Sequence, residues 1–266
     1  MSSVAYRIYP SLLDKFQSYL DAGLEAEGFW NIDSETGEQK RTEEEIAAVR
    51  EQELLDSVNR VQHEPIEAAD KGTCFNEIVD VIAAGEPFAP GADGRDDMEL
   101  ELLEGEVVAR MHGFEFRFDR AMCVEVASEF SGAVPQHLCR GVLPTRYGDV
   151  LLYGYADEIL LDKVYDLKTT SSYSFGKFER AWQKDVYPWC LVSSGEMDGV
   201  REFEYTVVQL TKPSQRNPVI GGKLYREAYT YDHEAAEKRL TAMVERFVEW
   251  LEQNRERITD KKIFGL

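Results

Sequence analysis

Short runs of β-branched and aromatic residues in the second half of the chain constrain the fold most. Three of them, LCRGVLPT (138–145), DVLLYGYADEILL (149–161) and VYDLKTT (164–170), are separated by residues typical of turns. This spacing predicts an antiparallel meander. Two later runs, 203–211 and 223–231, predict two further strands.

Amphipathic helices are predicted on both sides of these strands, because apolar residues recur there every three or four positions. Thr42, followed by three glutamates, predicts the N-terminal cap of one helix. Gly85 predicts the end of another. The predicted helices span about 11–23, 42–60, 74–84, 176–194 and 232–256.

The order of these elements predicts an α/β fold, a central mixed β-sheet flanked by helices. With 266 residues and a hydrophobic content of 43%, the chain is expected to form one domain over 1–266. A helical N-terminal part covers about 1–112 and the sheet core about 113–266. Within 99–130 the pattern is mixed, although Phe114, Phe116 and Phe118 alternate as in a strand.

Composition narrows the classes of function. The formal charge of −20 argues against a protein that coats nucleic acid through broad electrostatics. Without an apolar run of about 18 residues or a signal-peptide pattern, we expect a cytoplasmic protein with no membrane association. The four cysteines form no C-x-x-C pair, so their spacing indicates neither a zinc ribbon nor an iron–sulfur cluster.

The segment DEILLDKVYDLK (157–168) holds the candidate site. A hairpin turning at Asp162 and Lys163 would place Asp157 opposite Lys168, with Asp166 on the same face. Two converging carboxylates are stable when a hard divalent cation such as magnesium or manganese bridges them, and a lysine beside them suits phosphate chemistry. The alternative is an exposed ion-pair network that stabilises the fold little.

The helix that follows carries Gln183 and Tyr187 on one face, because they are four residues apart. With GYADEI supplying Asp157, YDLKTT supplying Asp166 and Lys168, and WQKDVY supplying Gln183 and Tyr187, the chain resembles the PD-(D/E)XK nuclease superfamily. It is most similar to the RecB-like and lambda-exonuclease-like branch. The resemblance covers about residues 70–210, and PSLLDKFQSYL is similar to the N-terminal helix of RecB-like members.

The first metal ligand of that family lies on an upstream helix that begins G-x-x-x-His. This chain reads GTCFNE there, so Asn76 stands in place of the histidine and Glu77 follows. Glu77 is the preferred ligand because a carboxylate suits a hard cation better than an amide does. Asn76, Glu125 and Glu129 remain alternatives.

The resemblance implies a restriction-endonuclease-like core and metal-dependent hydrolysis of phosphodiester bonds. Lys168, Asp157 and Asp166 would be catalytic, and Lys168 would orient the attacking water or offset the phosphate charge. Mg²⁺ or Mn²⁺ would bind Glu77, Asp157, Asp166 and the Leu167 carbonyl. DNA would be contacted by Gln183, Tyr187, Lys177 and Arg180.

The expected function is therefore a DNA exonuclease in recombination, repair or phage DNA processing. Its substrates would be linear duplex ends or single strands, and a recombinase, a single-strand-binding protein or further copies of the chain are conceivable partners. No iron–sulfur cluster is expected, because cluster-containing relatives carry late cysteines and the last cysteine here is Cys190. The alternatives are an endonuclease on the same core and a non-catalytic acidic protein that imitates DNA or binds other proteins. Cleavage polarity, strand preference and oligomeric state stay open.

Overall fold

The fold is built on a central mixed sheet. The computed structural model describes residues 4–85 and 97–265. The strands within these ranges are β1 (Tyr6–Ile8), β2 (Met98–Leu102), β3 (Glu106–Met111), β4 (Phe114–Asp119), β5 (Val134–Thr145), β6 (Gly148–Leu160), β7 (Lys163–Thr170), β8 (Glu202–Leu210) and β9 (Gly222–Thr230).

Two sheets are formed within the described residues. The larger has the order β1-β6-β7-β8-β9, with β5 also paired to β6. In it β5, β6 and β7 form the predicted antiparallel meander, while β1 joins β6 and β8 joins β7 in parallel. The smaller sheet is antiparallel, in the order β2-β3-β4. The parallel and antiparallel pairs together confirm an α/β fold with a mixed central sheet.

Helices pack on both faces of the larger sheet. They are α1 (Pro10–Leu20), α2 (Ala22–Ala26), α3 (Glu43–Val58), α4 (Glu67–Ala84), α5 (Arg120–Ser128), α6 (Gln183–Ser193) and α7 (His233–Gln253), with 3-10 turns at Phe29–Asn31 and Lys261–Phe264. One core cluster joins α1, α3, α6 and α7 to one face. A second core cluster joins α4, α5 and the smaller sheet to residues of β7 and β8 on the other face.

Several helix boundaries follow the predicted signals. α1 begins at Pro10, one residue before the predicted start, because the fixed φ of proline suits the first helical position, and it ends at Leu20 rather than at Gly23, which lies in α2. Thr42 caps α3 in a reciprocal capping box with Glu45. α4 ends at Gly85, which has the left-handed φ of 68° that the C-terminal signal requires.

Two predicted helices have different starts. α4 begins at Glu67 rather than near 74, through a polar turn that carries no apolar periodicity. α6 begins at Gln183 rather than near 176. Gly176 has a φ of 82°, which does not fit a helix. The Glu227 carboxylate also holds this segment on β9, because it accepts hydrogen bonds from the Tyr173 hydroxyl and the Gly176 amide.

The first half of the chain was predicted to be helical, but it also contains strands. The mixed segment within 99–130 forms parts of β2, β3 and β4 and then α5, and the alternating phenylalanines belong to β4. β1 also lies in this half and pairs with β6 in the central sheet. Residues up to about 112 therefore contribute strands as well as helices.

Candidate functional site

The β6–β7 hairpin has a different register from the predicted one. The turn is formed by Leu161 and Asp162, because Leu160 pairs with Lys163. Lys163 is held in the strand rather than the turn by its 2.6 Å ion pair with Glu204 of β8. Asp157 is therefore not opposite Lys168. The slip is two residues, so every side chain keeps its predicted face.

A break in the ladder along one edge of β6 gives the site its position. On this edge β1 pairs with 150–152 and β7 pairs with 158–160. Residues 153–157 between them have no strand partner there within the described part of the chain. The Leu167 amide, near this break, instead donates a hydrogen bond to Asp157 Oδ2 at 2.7 Å. The Asp157 side chain thus replaces a backbone acceptor between β6 and β7.

Asp166 and Lys168 occupy alternate positions of β7 and form an ion pair. Lys168 Nζ lies 2.6 Å from Asp166 Oδ2, and Asp166 is only 2% exposed. Burial raises the pKa of the Asp166 carboxyl, against the opposing effect of Lys168. Burial also disfavours the charged form of Lys168, but the Asp166 and Asp157 carboxylates raise its pKa on balance. Lys168 therefore stays an ammonium ion in this pocket.

Asp157 adds a second carboxylate to the same pocket. Burial, followed by the charge of Asp166, raises its pKa to about 8, although Lys168 and the Leu167 amide act in the opposite direction. The predicted convergence of Asp157, Asp166 and Lys168 is thus present in the geometry. The pocket thus contains two carboxyl groups and a single ammonium group.

Helix α4 brings further carboxylates to β6. Gly72 allows the close approach, because a Cβ there would lie 2.9 Å from Thr169 Oγ1 of β7. Two turns later, buried Asp80 accepts a hydrogen bond from Gln136 Nε2 of β5 at 3.1 Å. The charge of Asp80 also raises the pKa of Asp157. Asp80 is therefore the α4 carboxylate that is electrostatically linked to the site.

Glu158 completes this acidic group. It is 2% exposed, and burial followed by the charge of Asp80 raises its pKa to about 8. A side-chain hydrogen bond with Asp80 contributes to this shift, so the two carboxyl groups share a proton.

The other predicted first ligands lie as follows. Glu77 is buried on α4, one turn before Asp80, and Asn76 is half-buried there. Glu125 is exposed on α5. Glu129 forms a 2.8 Å ion pair with Arg226 of β9. Among these candidates, the two α4 residues are on the helix that carries Asp80.

Helix α6 covers the carboxylate pocket. Tyr187 is buried against Gly154, where a Cβ would lie 2.8 Å from the tyrosine ring. Burial, followed by the charges of Asp166 and Asp157, raises the pKa of Tyr187, which keeps the phenol protonated. Gln183 Oε1 accepts a 3.5 Å hydrogen bond from the Tyr205 hydroxyl. Gln183 is thus linked to Lys168 through Tyr205, whose ring centre lies 5.9 Å from Lys168 Nζ.

The predicted DNA-contacting cations are engaged within the protein. Lys177 Nζ donates to Thr170 Oγ1 at 2.6 Å and to the Ser172 carbonyl at 2.9 Å, so it stays near the end of β7. Arg180 forms a 2.8 Å ion pair with Asp21 and keeps 63% of its side chain exposed. Both groups remain at the surface beside the start of α6.

Sequence reasoning missed three acidic residues of the site: Asp14, Asp80 and Glu158. Asp14 Oδ1 accepts the Trp182 amide at 2.8 Å, and burial raises its pKa to about 6. In the sequence Asp14 lies on the polar face of an amphipathic helix, so nothing in the neighbouring residues indicates that it is part of a site. Asp80 could have been found, because it continues the 72-76-80 spacing of one helix face.

A cleft lies at the break in β6, and two residues of α6, Gln183 and Tyr187, belong to its lining. Its volume is about 440 Å³, and its lining includes Pro10, Tyr153, Tyr155, Gln183 and Tyr187. Among the described residues, no three His, Cys, Asp or Glu side chains are already arranged as a metal-binding group. The donor chemistry nevertheless fits a hard cation, because the charges of Asp166, Asp157 and Asp14 act on the single Lys168 ammonium, while Asp80 and Glu158 interact with Asp157.

Comparison of the chain with profiles of known protein families gives no match. A comparison with curated proteins gives no similar sequence. Among the described residues, no helix has the length and apolar character that crossing a membrane requires.

Proposed function

We propose that this protein is a metal-dependent phosphodiesterase, with a restriction-endonuclease-like core, that acts as a DNA exonuclease. The observation that carries the proposal is the group of Asp157, Asp166 and Lys168 in one pocket on adjoining parts of β6 and β7. Two carboxylates bind a hard cation, and an ammonium beside them suits a phosphate. The order of these residues and of Gln183 and Tyr187 along the chain supports the same assignment.

Mg²⁺ or Mn²⁺ would be held by Asp157 and Asp166, with Glu77 or Asp80 of α4 and the Leu167 carbonyl as further ligands. When bound, such a cation lowers the pKa of a coordinated water and stabilises charge on the phosphate. The side chains of the pocket would supply the other contributions. Lys168 would place a positive charge where the phosphate becomes more negative, and its ion pair with Asp166 would hold the ammonium group in position.

The surroundings of the pocket fit the proposed substrate. Tyr187 and Tyr205 exclude water from one side of Lys168, which strengthens its charge interactions. Gln183, at the start of α6, lines the open cleft and can donate to a phosphate oxygen. Lys177 and Arg180 lie at the surface just before α6, where a strand could reach them.

The test compares the wild type with Lys168→Ala on end-labelled linear duplex, linear single-stranded and circular DNA. Each reaction contains Mg²⁺ or Mn²⁺, or EDTA. We expect metal-dependent loss of linear but not circular DNA, reduced at least about a hundredfold in the variant. Lys223→Ala, which removes an exposed lysine of β9, is the matched control and should keep wild-type activity.

The other outcomes are equally informative. Cleavage of circular DNA would replace the exonuclease with an endonuclease on the same site. Equal activity of wild type and a folded Lys168→Ala protein would contradict the assigned role of Lys168. Absence of cleavage from every substrate would favour an acidic, non-catalytic binding protein.

A further inference from the structure

Four cations gather in a second cleft, on the outer face of the central sheet. Arg7, Arg60, Arg140 and Lys262 line a cavity of about 300 Å³. Leu138, Leu151 and Tyr153 complete the lining, so none of the lining residues is acidic. This is unusual in a chain with a net charge of −20.

Strand alternation places these side chains on one surface. Arg7 is exposed between the buried residues Tyr6 and Ile8 of β1. It is paired with Leu151 of β6, while Arg140 of β5 is paired with Tyr153. The face opposite the main core therefore carries cations on two strands that flank β6.

Most of this positive charge is not neutralised by the protein. Within the described ranges, Arg7, Arg140 and Lys262 form no ion pair, whereas Arg60 pairs with Asp260 at 3.0 Å. Elsewhere half-buried arginines such as Arg110 and Arg117 are paired with glutamates. Several like charges around one cavity repel each other, and a bound anion relieves that repulsion.

The cationic cleft adjoins the cleft at the break in β6. Arg60 and Tyr153 line both this cavity and the one at the break in β6. The cavity at the break leads on to Gln183 and Tyr187 over the carboxylate pocket. Tyr155, which is 56% exposed, lies along this path and presents an aromatic surface.

We propose that the cleft formed by Arg7, Arg60, Arg140 and Lys262 binds the phosphodiester backbone of a single nucleic-acid strand, several nucleotides from the reacting bond. The cations hold phosphates, and Tyr153 and Tyr155 stack on bases exposed along the same path. A cavity of about 300 Å³ with an aromatic residue in its lining suits one strand rather than a duplex. The inference rests on the proposed function, because it assigns the strand as the substrate of the neighbouring site.

The test measures binding without cleavage. A fluorescein-labelled single-stranded oligonucleotide is titrated in EDTA with wild type and with the double variant Arg7→Gln/Arg140→Gln, at several salt concentrations. The matched control is Arg201→Gln/Lys223→Gln, which removes the same charge from exposed positions outside the cleft. Circular dichroism confirms that all three proteins are folded.

We expect the cleft variant to bind at least tenfold more weakly than the control. Its plot of log affinity against log salt should be shallower by about 0.7 for each phosphate that the variant no longer binds. Equal affinities of the two double variants, or no binding by the wild type, would overturn the inference. If the wild type binds the oligonucleotide in EDTA but cleaves no DNA with metal, only the proposed nuclease function is contradicted. If the wild type cleaves DNA and the two double variants bind the oligonucleotide equally, only the proposed binding of a strand in the cleft is contradicted.

Discussion

At the scale of single residues, the candidate site is defined by an imbalance of charge. Asp166 is buried and Asp157 half-buried beside one lysine, and Asp80 and Glu158 lie near Asp157. Burial makes each carboxylate costly, and their mutual repulsion adds to that cost. A chain that needed only stability could hold apolar side chains there. The cation proposed here would offset this repulsion.

The pH dependence of stability should reveal this imbalance. The pKa values of Asp157 and Glu158 are raised to about 8, so without metal the folded protein keeps protons that the unfolded chain releases near pH 4. Their contribution to the free energy of unfolding is therefore full below about pH 4 and is lost as the pH rises to about 8. We expect the melting temperature in EDTA to fall across this range.

Asp157→Asn isolates one of these groups. Asparagine still offers an oxygen to the Leu167 amide but carries no charge. At pH 8 the variant should melt at least about 2 °C above the wild type, the shift that about 1 kcal/mol gives in a chain of this size. The difference in melting temperature should narrow as the pH falls and close only below about pH 4. Parallel melting curves at every pH would contradict a raised pKa at Asp157.

At the scale of elements, the break along β6 is the central feature. β1 and β7 share one edge of β6 and leave 153–157 without a strand partner there in the described structure. Helix α6 packs at this place, because Gly154 has no side chain to exclude Tyr187. The break forms part of the cleft that Gln183 and Tyr187 line.

Gly154→Ala should disturb this packing. Its Cβ would lie 2.8 Å from the Tyr187 ring and 3.3 Å from Pro10 Cδ, so α6 or α1 must move. We expect a loss of about 1–3 kcal/mol in the free energy of unfolding, measured by urea denaturation, together with reduced cleavage. Gly199→Ala is the control, since nothing lies within 4 Å of a Cβ there and its stability should be unchanged.

The elements themselves could largely be predicted from the sequence. The meander, β8, β9 and α7 follow from short-range periodicity, and the caps at Thr42 and Gly85 follow from local chemistry. The hairpin register could not be predicted, because it depends on the ion pair between Lys163 and Glu204 of a distant strand. The late start of α6 likewise depends on Glu227, about 50 residues further along the chain.

At the scale of the whole molecule, the charge is distributed unevenly. The chain carries 50 acidic and 30 basic residues, yet one sheet face gathers four cations in a cavity without acidic lining residues. An acidic surface repels a polyanion such as nucleic acid, whereas a cationic groove attracts it, so a polyanion would be directed to this groove. The strongly acidic composition is thus compatible with a nucleic-acid substrate that approaches from one side.

The site was only partly predictable from the sequence. Asp157, Asp166 and Lys168 share one face whichever of the two registers the hairpin adopts, so alternation along the strands was sufficient to group them. Asp14 and Asp80 reach the site through packing of α1 and α4, and Glu158 joins it because Asp80 lies against it. Long-range packing therefore supplies half of the charged groups around the pocket.

The most direct test of the central claim is a titration with Mn²⁺, in which free Mn²⁺ is followed by electron paramagnetic resonance. Wild type, Asp157→Asn and the exposed control Asp198→Asn are compared at pH 8. We predict that the wild type and the control bind Mn²⁺ alike and that Asp157→Asn binds at least about tenfold more weakly. A wild type that binds no Mn²⁺, or an Asp157→Asn protein that binds it as tightly, would contradict a metal site at Asp157 and Asp166.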